Sequence, residues 1–326
     1  MVKLSKTTIF KILHNYLGMT KAISATSVPY IELNDGNKIP VVSYGTFGRV
    51  QDVHLIKPAV IQAIEAGYRH IDTAAIYRNE EQVGEAIADV TNRGIVTREE
   101  LWITTKINSA IGTREGVLPA IKESLQKLNL DYIDLYLIHF PGNASNHDYL
   151  NVWKGMEDVQ KLNLTRSIGV ANFNTQQLDR VIANSDTVPS VNQVEVHPFF
   201  NNLDIVEYSQ SLNISVMSYA NFGFMVPRPW LKQTPYQTFE EPILRQLAQK
   251  YGKMPSQITL RYLLERGTIV IPRSTNKIHI EINIDVFDFK LTQEEIKLIN
   301  EVDQGDKVYS FDPESLPAFL EYFGLI

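Results

Sequence analysis

The sequence predicts an α/β fold, a (β/α)8 TIM barrel entered through an N-terminal β-hairpin, and three observations carry that expectation. Eight short runs rich in β-branched and aromatic residues alternate with longer amphipathic stretches along 326 residues. Runs such as Ile133-Asp-Leu-Tyr-Leu-Ile138 are apolar on both faces, as buried parallel strands must be. The rival architecture, a doubly wound open sheet, normally binds a dinucleotide through a glycine-rich first turn, and no G-x-G-x-x-G occurs. The length suits either two domains of about 150 residues or one barrel. No low-complexity linker divides the chain, so a single domain over residues 28–326 is expected, with residues 1–27 an extension outside the fold.

The elements follow in order. Tyr30-Ile-Glu-Leu-Asn34 alternates, Asp35-Gly36 supplies a positive-φ turn, and Lys38 to Tyr44 returns, which reads as a hairpin. Barrel strands are then expected at Val41–Thr46, Arg69–Thr73, Leu101–Ile107, Ile133–His139, Ser167–Ala171, Val191–Val196, Ser215–Tyr219 and Thr268–Ile271. The helices between them are expected at Lys57–Ala66, Glu80–Asn92, Arg114–Leu128, Leu150–Leu162, Thr175–Ser185, Leu203–Leu212 and Glu241–Tyr251. Asn79, Thr97 and Asn174 stand where helix caps belong, the first two followed by first-turn acids.

Composition removes several function classes. With no cysteine there is no disulfide framework, thiolate nucleophile, iron–sulfur cluster or Cys-ligated zinc. Thirty-one Lys and Arg against 37 Asp and Glu give a net charge of −6, which argues against a general nucleic-acid binder. No apolar run approaches the ~18 residues of a membrane span. The patch Ile9–Leu17 is broken by Lys11, His14 and Asn15, a poor signal-peptide core, so a cytoplasmic protein is expected.

A barrel builds its active site at the C-terminal ends of its strands, so polar residues there are informative. Asp72 ends one strand and Tyr77 follows in its loop; Lys106 and His139 end the next two. Taken singly, each has a plainer role: a helix cap, a surface ion pair, a packed ring. Together they form one chemical set. A tyrosine with a pKa near ~10 is a weak acid at neutral pH. A lysine ammonium beside its oxygen lowers that value, and a carboxylate beyond holds the lysine in place. A nearby imidazole then hydrogen-bonds a substrate carbonyl. Such a set protonates an oxygen while something else attacks the carbon. Hydrolysis does not fit, since there is no cysteine and no G-x-S-x-G elbow. Glu195 and His197 share a strand face that could in principle ligate metal, but no third ligand has suitable spacing, and no metal is expected. His70, two residues before Asp72, is read as a core histidine within hydrogen-bonding reach of the set.

The same strand ends carry a family resemblance. Gly67-Tyr-Arg-His-Ile-Asp-Thr-Ala-Ala-Ile-Tyr77, Thr105-Lys106, Leu137-Ile-His-Phe-Pro141, Ser167-Ile-Gly-Val-Ala-Asn-Phe-Asn174, Asn192-Gln-Val-Glu-Val-His-Pro198 and Ile271-Pro-Arg-Ser-Thr275 closely resemble the aldo-keto reductase family. The likeness runs from about Tyr30 to the last helix. Within the family, Gly169–Asn174 and Ile282–Phe289 look most like lepidopteran insect reductases acting on 3-dehydroecdysone.

The resemblance implies hydride transfer from NADPH to a carbonyl carbon, with Tyr77 as general acid, Lys106 and Asp72 as its partners, and His139 orienting the carbonyl. It implies cofactor contacts at Thr46, Asn172, Gln193, Tyr219, Arg273, Ser274, Thr275, His279 and Asn283. It places Phe47, Phe140 and Trp230 at the substrate pocket, with Asn108 where a tryptophan is frequent; the tail residues Phe319, Tyr322, Phe323 and Leu325 either close the pocket mouth as a C-terminal loop or cover the barrel flank. This family binds its dinucleotide extended across a barrel mouth, so the missing glycine motif is no objection.

Three departures matter: Ala171 replaces a usual serine, which removes a hydrogen bond worth ~0.5–1.5 kcal/mol, His279 a common arginine, and Ile282 a frequent Glu or Gln. Arg273 with Ser274 still offers a charge-assisted phosphate site, so NADPH is expected over NADH by a reduced margin. The implied partner is a bulky hydrophobic ketone or an aldehyde, and the implied state is a monomer. The alternatives are a non-catalytic barrel that keeps its cofactor site, and a barrel lyase or isomerase.

Overall fold

A computed structural model describes residues 28–108, 111–142, 149–231, 239–309 and 316–325. The expected extension 1–27 lies outside them. The hairpin is present as β1 (Tyr30–Glu32) and β2 (Lys38–Pro40), antiparallel with Ile31 opposite Ile39. Gly36 takes the positive φ of 83° that the turn needs. Eight strands follow: β3 (Tyr44–Gly45), β4 (His70–Asp72), β5 (Trp102–Ile107), β6 (Ile133–Ile138), β7 (Thr165–Ala171), β8 (Val191–Glu195), β9 (Ser215–Tyr219) and β10 (Thr268–Val270). Each pairs in parallel with the next in sequence. A parallel bridge between Val42 and Val270, with bonds from Ser43 N to Val270 O (2.8 Å) and Gly45 N to Pro272 O (3.0 Å), brings β10 back to β3 and closes the barrel. The first barrel strand is shorter than expected, because the chain is still turning out of the hairpin at Val41–Val42.

Outside lie α1 (Ile56–Glu65), α2 (Glu80–Asn92), α3 (Arg114–Leu128), α4 (Tyr149–Lys161), α5 (Thr175–Ala183), α6 (Leu203–Ser211), α7 (Pro242–Tyr251) and α8 (Pro255–Glu265). After β10 come α9 (Lys277–Ile284), α10 (Gln293–Asn300) and α11 (Leu316–Phe323). Asn174 caps α5 as expected, its side chain accepting from Gln177 N. Asn79 does not cap α2. Its amide instead donates to Thr46 O (2.9 Å) and its carbonyl accepts from the Thr73 hydroxyl (2.8 Å), which braces the loop after β4.

The strand period of two sorts every side chain in or out. On β5, Trp102, Thr104 and Lys106 point inward, whereas Ile103, Thr105 and Ile107 meet the helices; Thr105 bonds Glu80 of α2. The same parity sends His70 and Asp72, Leu135 and Leu137, Val191, Gln193 and Glu195, and Met217 and Tyr219 inside. The lower layers are apolar and form a plug with Leu33 and Ile39 of the hairpin region. Gly169 keeps that plug tight: a Cβ there would stand 2.6 Å from Val191 O and 2.8 Å from Leu137 Cδ2. Asn34 Nδ2 to Pro189 O (2.9 Å) and Ser190 Oγ to Asp35 (2.9 Å) tie the hairpin across the N-terminal end. With that end sealed, the polar upper layer opens only at the C-terminal end.

Candidate active site

Inward parity, loop geometry and register bring the four residues expected from sequence together. β4 and β5 pair with Asp72 opposite Thr104, which sets Lys106 one layer higher and across from the Asp72 carboxylate. Lys106 is fully buried, and its ammonium directs its three donors at Asp72 Oδ1 (2.7 Å), Thr73 O (2.9 Å) and the Tyr77 hydroxyl (3.3 Å). Tyr77 ends a short 3-10 turn, Ala75–Tyr77, which carries its ring back over the strand ends. The His139 ring meets Tyr77 edge-on at 5.6 Å and stacks on Phe140 at 4.6 Å. The Asp72 carboxylate is completed by Gln193 Nε2 on its second oxygen (2.8 Å).

Electrostatics depart from one expectation. Burial pushes the Tyr77 phenol well above its usual 10, and the Asp72 charge adds to the shift. Burial outweighs the lysine: the phenol is raised although the Lys106 ammonium stands 3.3 Å from its oxygen. The lysine's positive charge is already matched by Asp72 at 2.7 Å, and burial pulls the ammonium itself below its usual range. His139 is held well below 6.5, by burial first and by Lys106 second, so its ring is neutral at pH 7. The arrangement offers a neutral phenol donor, a neutral imidazole and a cation poised behind the phenol oxygen. His70 is a core residue as expected, but it does not bond the set: its Nε2 meets Thr104 Oγ1 (2.8 Å) and its Nδ1 meets Pro40 O (3.3 Å). Glu195 and His197 contact each other directly at 3.0 Å, and no metal-ligating cluster exists among the described residues.

With Lys106 buried behind them, Asp72, Tyr77, His139 and Gln193 lie on the floor of a cavity of about 1470 Å³. Its size exceeds the ~300–1,000 Å³ of an ordinary ligand pocket, so it has room for a dinucleotide beside a second molecule. Asn172, Gln193, Tyr219, Arg273, Ser274, Thr275 and His279 line it, as expected. Asn172 adopts φ 64° and joins the floor by donating to His139 O (2.9 Å) and accepting from the Tyr219 hydroxyl (2.7 Å). Arg273, Ser274 and His279 gather at the start of α9, where a helix N-terminus and a guanidinium favour a phosphate. Lys277 is engaged with Glu281 one turn along.

Three expected residues are placed elsewhere. The Thr46 side chain is buried and donates to Asp72 O (3.0 Å), so it braces β4 and does not line the cavity. Asn283 is buried within α9, away from the cavity wall. Asn108 is exposed past the end of β5, where Ile111 N turns back to its carbonyl (3.0 Å), and is not part of the wall.

The substrate side is aromatic. Phe47 lies 4.9 Å from Tyr77 and 4.5 Å from Phe323, and Trp230 lies 5.0 Å from Phe323. The expected C-terminal loop is in part the helix α11, whose four-residue spacing puts Phe319 and Phe323 on one face above Phe47. Sequence reasoning missed three contributors to the site: the Thr73 carbonyl behind Lys106, and Arg228 and Tyr309 on the cavity wall. Backbone groups carry no residue-type signal. Tyr309, lying past the last barrel helix with its ring 6.0 Å from Trp230, shows no periodicity that points to the pocket.

Comparison with known proteins agrees with this geometry. The model of the aldo/keto reductase family matches residues 42–304. Aldo-keto reductase AKR2E4 of Bombyx mori is 50% identical over 295 residues, covering 87% of this chain and 95% of that protein. Prostaglandin F synthase 1 of Bos taurus is 36% identical over 302 residues, 86% of this chain and 93% of its own. The crystal structure of Bombyx mori AKR2E4 in complex with NADP superposes with a TM-score of 0.84 at 48% identity, covering 89% of this chain and 97% of that one. With its barrel, its strand-end residues and these relatives in agreement, the chain belongs to the aldo/keto reductase family.

Proposed function

We propose that this chain is an NADPH-dependent carbonyl reductase and that Tyr77 delivers the proton to the carbonyl oxygen. The observation that carries the reading is the contact chain Asp72–Lys106–Tyr77, with His139 beside it, on the floor of a cavity large enough for two molecules. The Bombyx mori relatives crystallised with NADP and with NADPH support the choice of cofactor. The residues present fit that group: Arg273, Ser274 and His279 would hold its extra phosphate, and Tyr219, Asn172 and Gln193 its nicotinamide end.

When bound, the reduced nicotinamide supplies a hydride to the carbonyl carbon. The side chains manage the oxygen. A carbonyl seated above Tyr77 and His139 accepts hydrogen bonds from the phenol and from a neutral imidazole N–H. As negative charge grows on that oxygen, the phenol proton crosses to it. Lys106, already donating to the phenol oxygen, then meets a phenolate in place of a phenol, and this contact strengthens as the proton leaves. The high resting pKa of Tyr77 keeps the proton in place until that moment.

The aromatic wall favours a bulky hydrophobic ketone, and an ecdysteroid such as 3-dehydroecdysone is the first candidate. The deciding experiment follows loss of NADPH absorbance against a panel of ecdysteroid ketones and simple aliphatic and aromatic aldehydes. Turnover with the lowest KM among the bulky ketones is expected; no NADPH oxidation with any carbonyl would refute the reading.

A further inference from the structure

Glu195 and His197 sit at the end of β8 and take no part in the proton path. Glu195 is only 4% exposed. Its Oε1 accepts from His197 Nε2 (3.0 Å) and Val308 N (2.5 Å), and its Oε2 accepts from Tyr309 N (3.1 Å). The backbone donors lie more than a hundred residues away in sequence. His197 Nδ1 has no hydrogen-bond partner among the described residues, which places the imidazole proton on Nε2, between ring and carboxylate. Gly223 packs against that ring so closely that a Cβ would stand 2.6 Å from Nδ1. Its carbonyl accepts from Arg228 Nε (3.0 Å) and Nη2 (2.7 Å), and the guanidinium lies 5.6 Å from the Trp230 ring and 6.0 Å from that of Tyr309.

Residues 303–309 form no helix or strand. They are tied to the barrel by Glu195 and by Gln304 N and Asp306 N, which both donate to Phe199 O (3.2 and 3.1 Å). The Tyr309 ring is thereby set 5.8 Å from Tyr219, 6.0 Å from Trp230 and 5.7 Å from Phe319. It touches the proposed nicotinamide platform and the proposed substrate wall at once.

We propose that Glu195 is a positioning residue: its carboxylate fixes the backbone at Val308–Tyr309 to the end of β8 and so holds the Tyr309 ring as a wall of the substrate pocket, favouring bulky ketones over small carbonyls. The proposal rests on the carbonyl-reductase reading and deepens it. β8 is hydrogen-bonded within the barrel sheet and the C-terminal segment is not, so the buried carboxylate, beside the two bonds to Phe199 O, carries the order of the first to the second.

Glu195→Gln tests it. The amide keeps the shape but offers one accepting oxygen and one NH2, so at least one backbone N–H then faces a donor. A hydrogen bond to a charged group is worth enough to shift an equilibrium about tenfold. The expected result is a KM for a bulky ketone raised about tenfold, with the loss falling on KM and not on kcat, and a much smaller change with propanal. Amide hydrogen exchange at Val308–Tyr309, read by mass spectrometry, should accelerate about tenfold without change in β8. Equal losses for both substrates, or unchanged exchange, would overturn the proposal. Tyr309→Ala leaves all three donors to the carboxylate in place and should reproduce the ketone KM rise, with no further rise when Glu195→Gln is added. If Glu195→Gln yields no folded protein, an unchanged ketone KM in Tyr309→Ala overturns it alone. A wild-type chain that reduces no carbonyl sinks the functional reading instead, and hydrogen exchange still decides whether the anchor exists.

Discussion

Tyr77 has to satisfy two opposed demands, holding its proton at rest and releasing it during the reaction. Burial and the Asp72 charge meet the first, and the Lys106 ammonium 3.3 Å away meets the second once charge develops. Lys106→Met removes that second term while preserving most of the side-chain volume, so kcat should fall by about 10²–10⁴-fold. Steady-state kinetics with any accepted carbonyl checks it. The buried histidines give a separate prediction on stability. Burial lowers His70 to about 3, and His139 is also held well below 6.5, so both rings are neutral when folded at pH 7. Unfolded histidine takes up a proton near ~6.5, so below that pH the unfolded chain binds more protons than the folded one. Stability is therefore full above about pH 6.5 and lost as pH falls, with a slope approaching about 1.4 kcal/mol per pH unit for each ring. Urea unfolding at pH 7 and pH 5 should show the loss, and His70→Gln should reduce its slope.

Among the elements, close helix packing makes its own demand. α2 approaches the end of α3 so nearly that a Cβ on Gly84 would lie 2.4 Å from Leu128 O, a backbone atom that cannot swing aside. Gly84→Ala should thus cost about 1–3 kcal/mol by overpacking, despite its better helix propensity, as a shifted denaturation midpoint. Element legibility in the sequence followed the same physics. Strands such as β6 were readable because both faces are apolar, and α2 and α3 fell on their expected residues because each has one wet face. α9 was not readable: Ile278, Ile280, Ile282 and Ile284 alternate with the period of a strand. It is nonetheless a helix, started by Asn276, whose side chain accepts from Ile278 N (2.9 Å). α8 buries every residue from Gln257 to Leu263, the polar Gln257, Thr259 and Arg261 among them, so polarity in its sequence does not mark its exposed face.

For the whole molecule, an acidic chain has to present a basic cleft to a polyanionic cofactor. The net charge is −6, yet Arg49, Arg228, Arg273, Lys307 and His279 all line the cavity. Its acids are matched: Asp52 by Arg49, Asp72 by Lys106, Glu195 by three N–H donors. Arg273→Ala should weaken NADPH by about tenfold while leaving NADH nearly untouched, since only the former loses a charge-assisted phosphate contact. Added salt should weaken NADPH binding more steeply than NADH binding. Equal dissociation constants for the two cofactors in the wild type would contradict this assignment. The site was legible in sequence where its groups end consecutive barrel strands, as Asp72, Lys106 and His139 do. It was illegible where the fold alone creates proximity, as between Glu195 and Tyr309, 114 residues apart. Of the residues placed by family likeness, Thr46, Asn108 and Asn283 are the ones found away from the cavity wall.

The most direct test of the proton path is Tyr77→Phe, which deletes one oxygen and leaves the ring among Phe47 and His139. A single-turnover measurement with bound NADPH and an accepted ketone should show hydride transfer slowed by about 10²–10⁴-fold, with the NADPH dissociation constant unchanged by fluorescence quenching. Full-rate transfer in Tyr77→Phe would contradict Tyr77 as the proton donor.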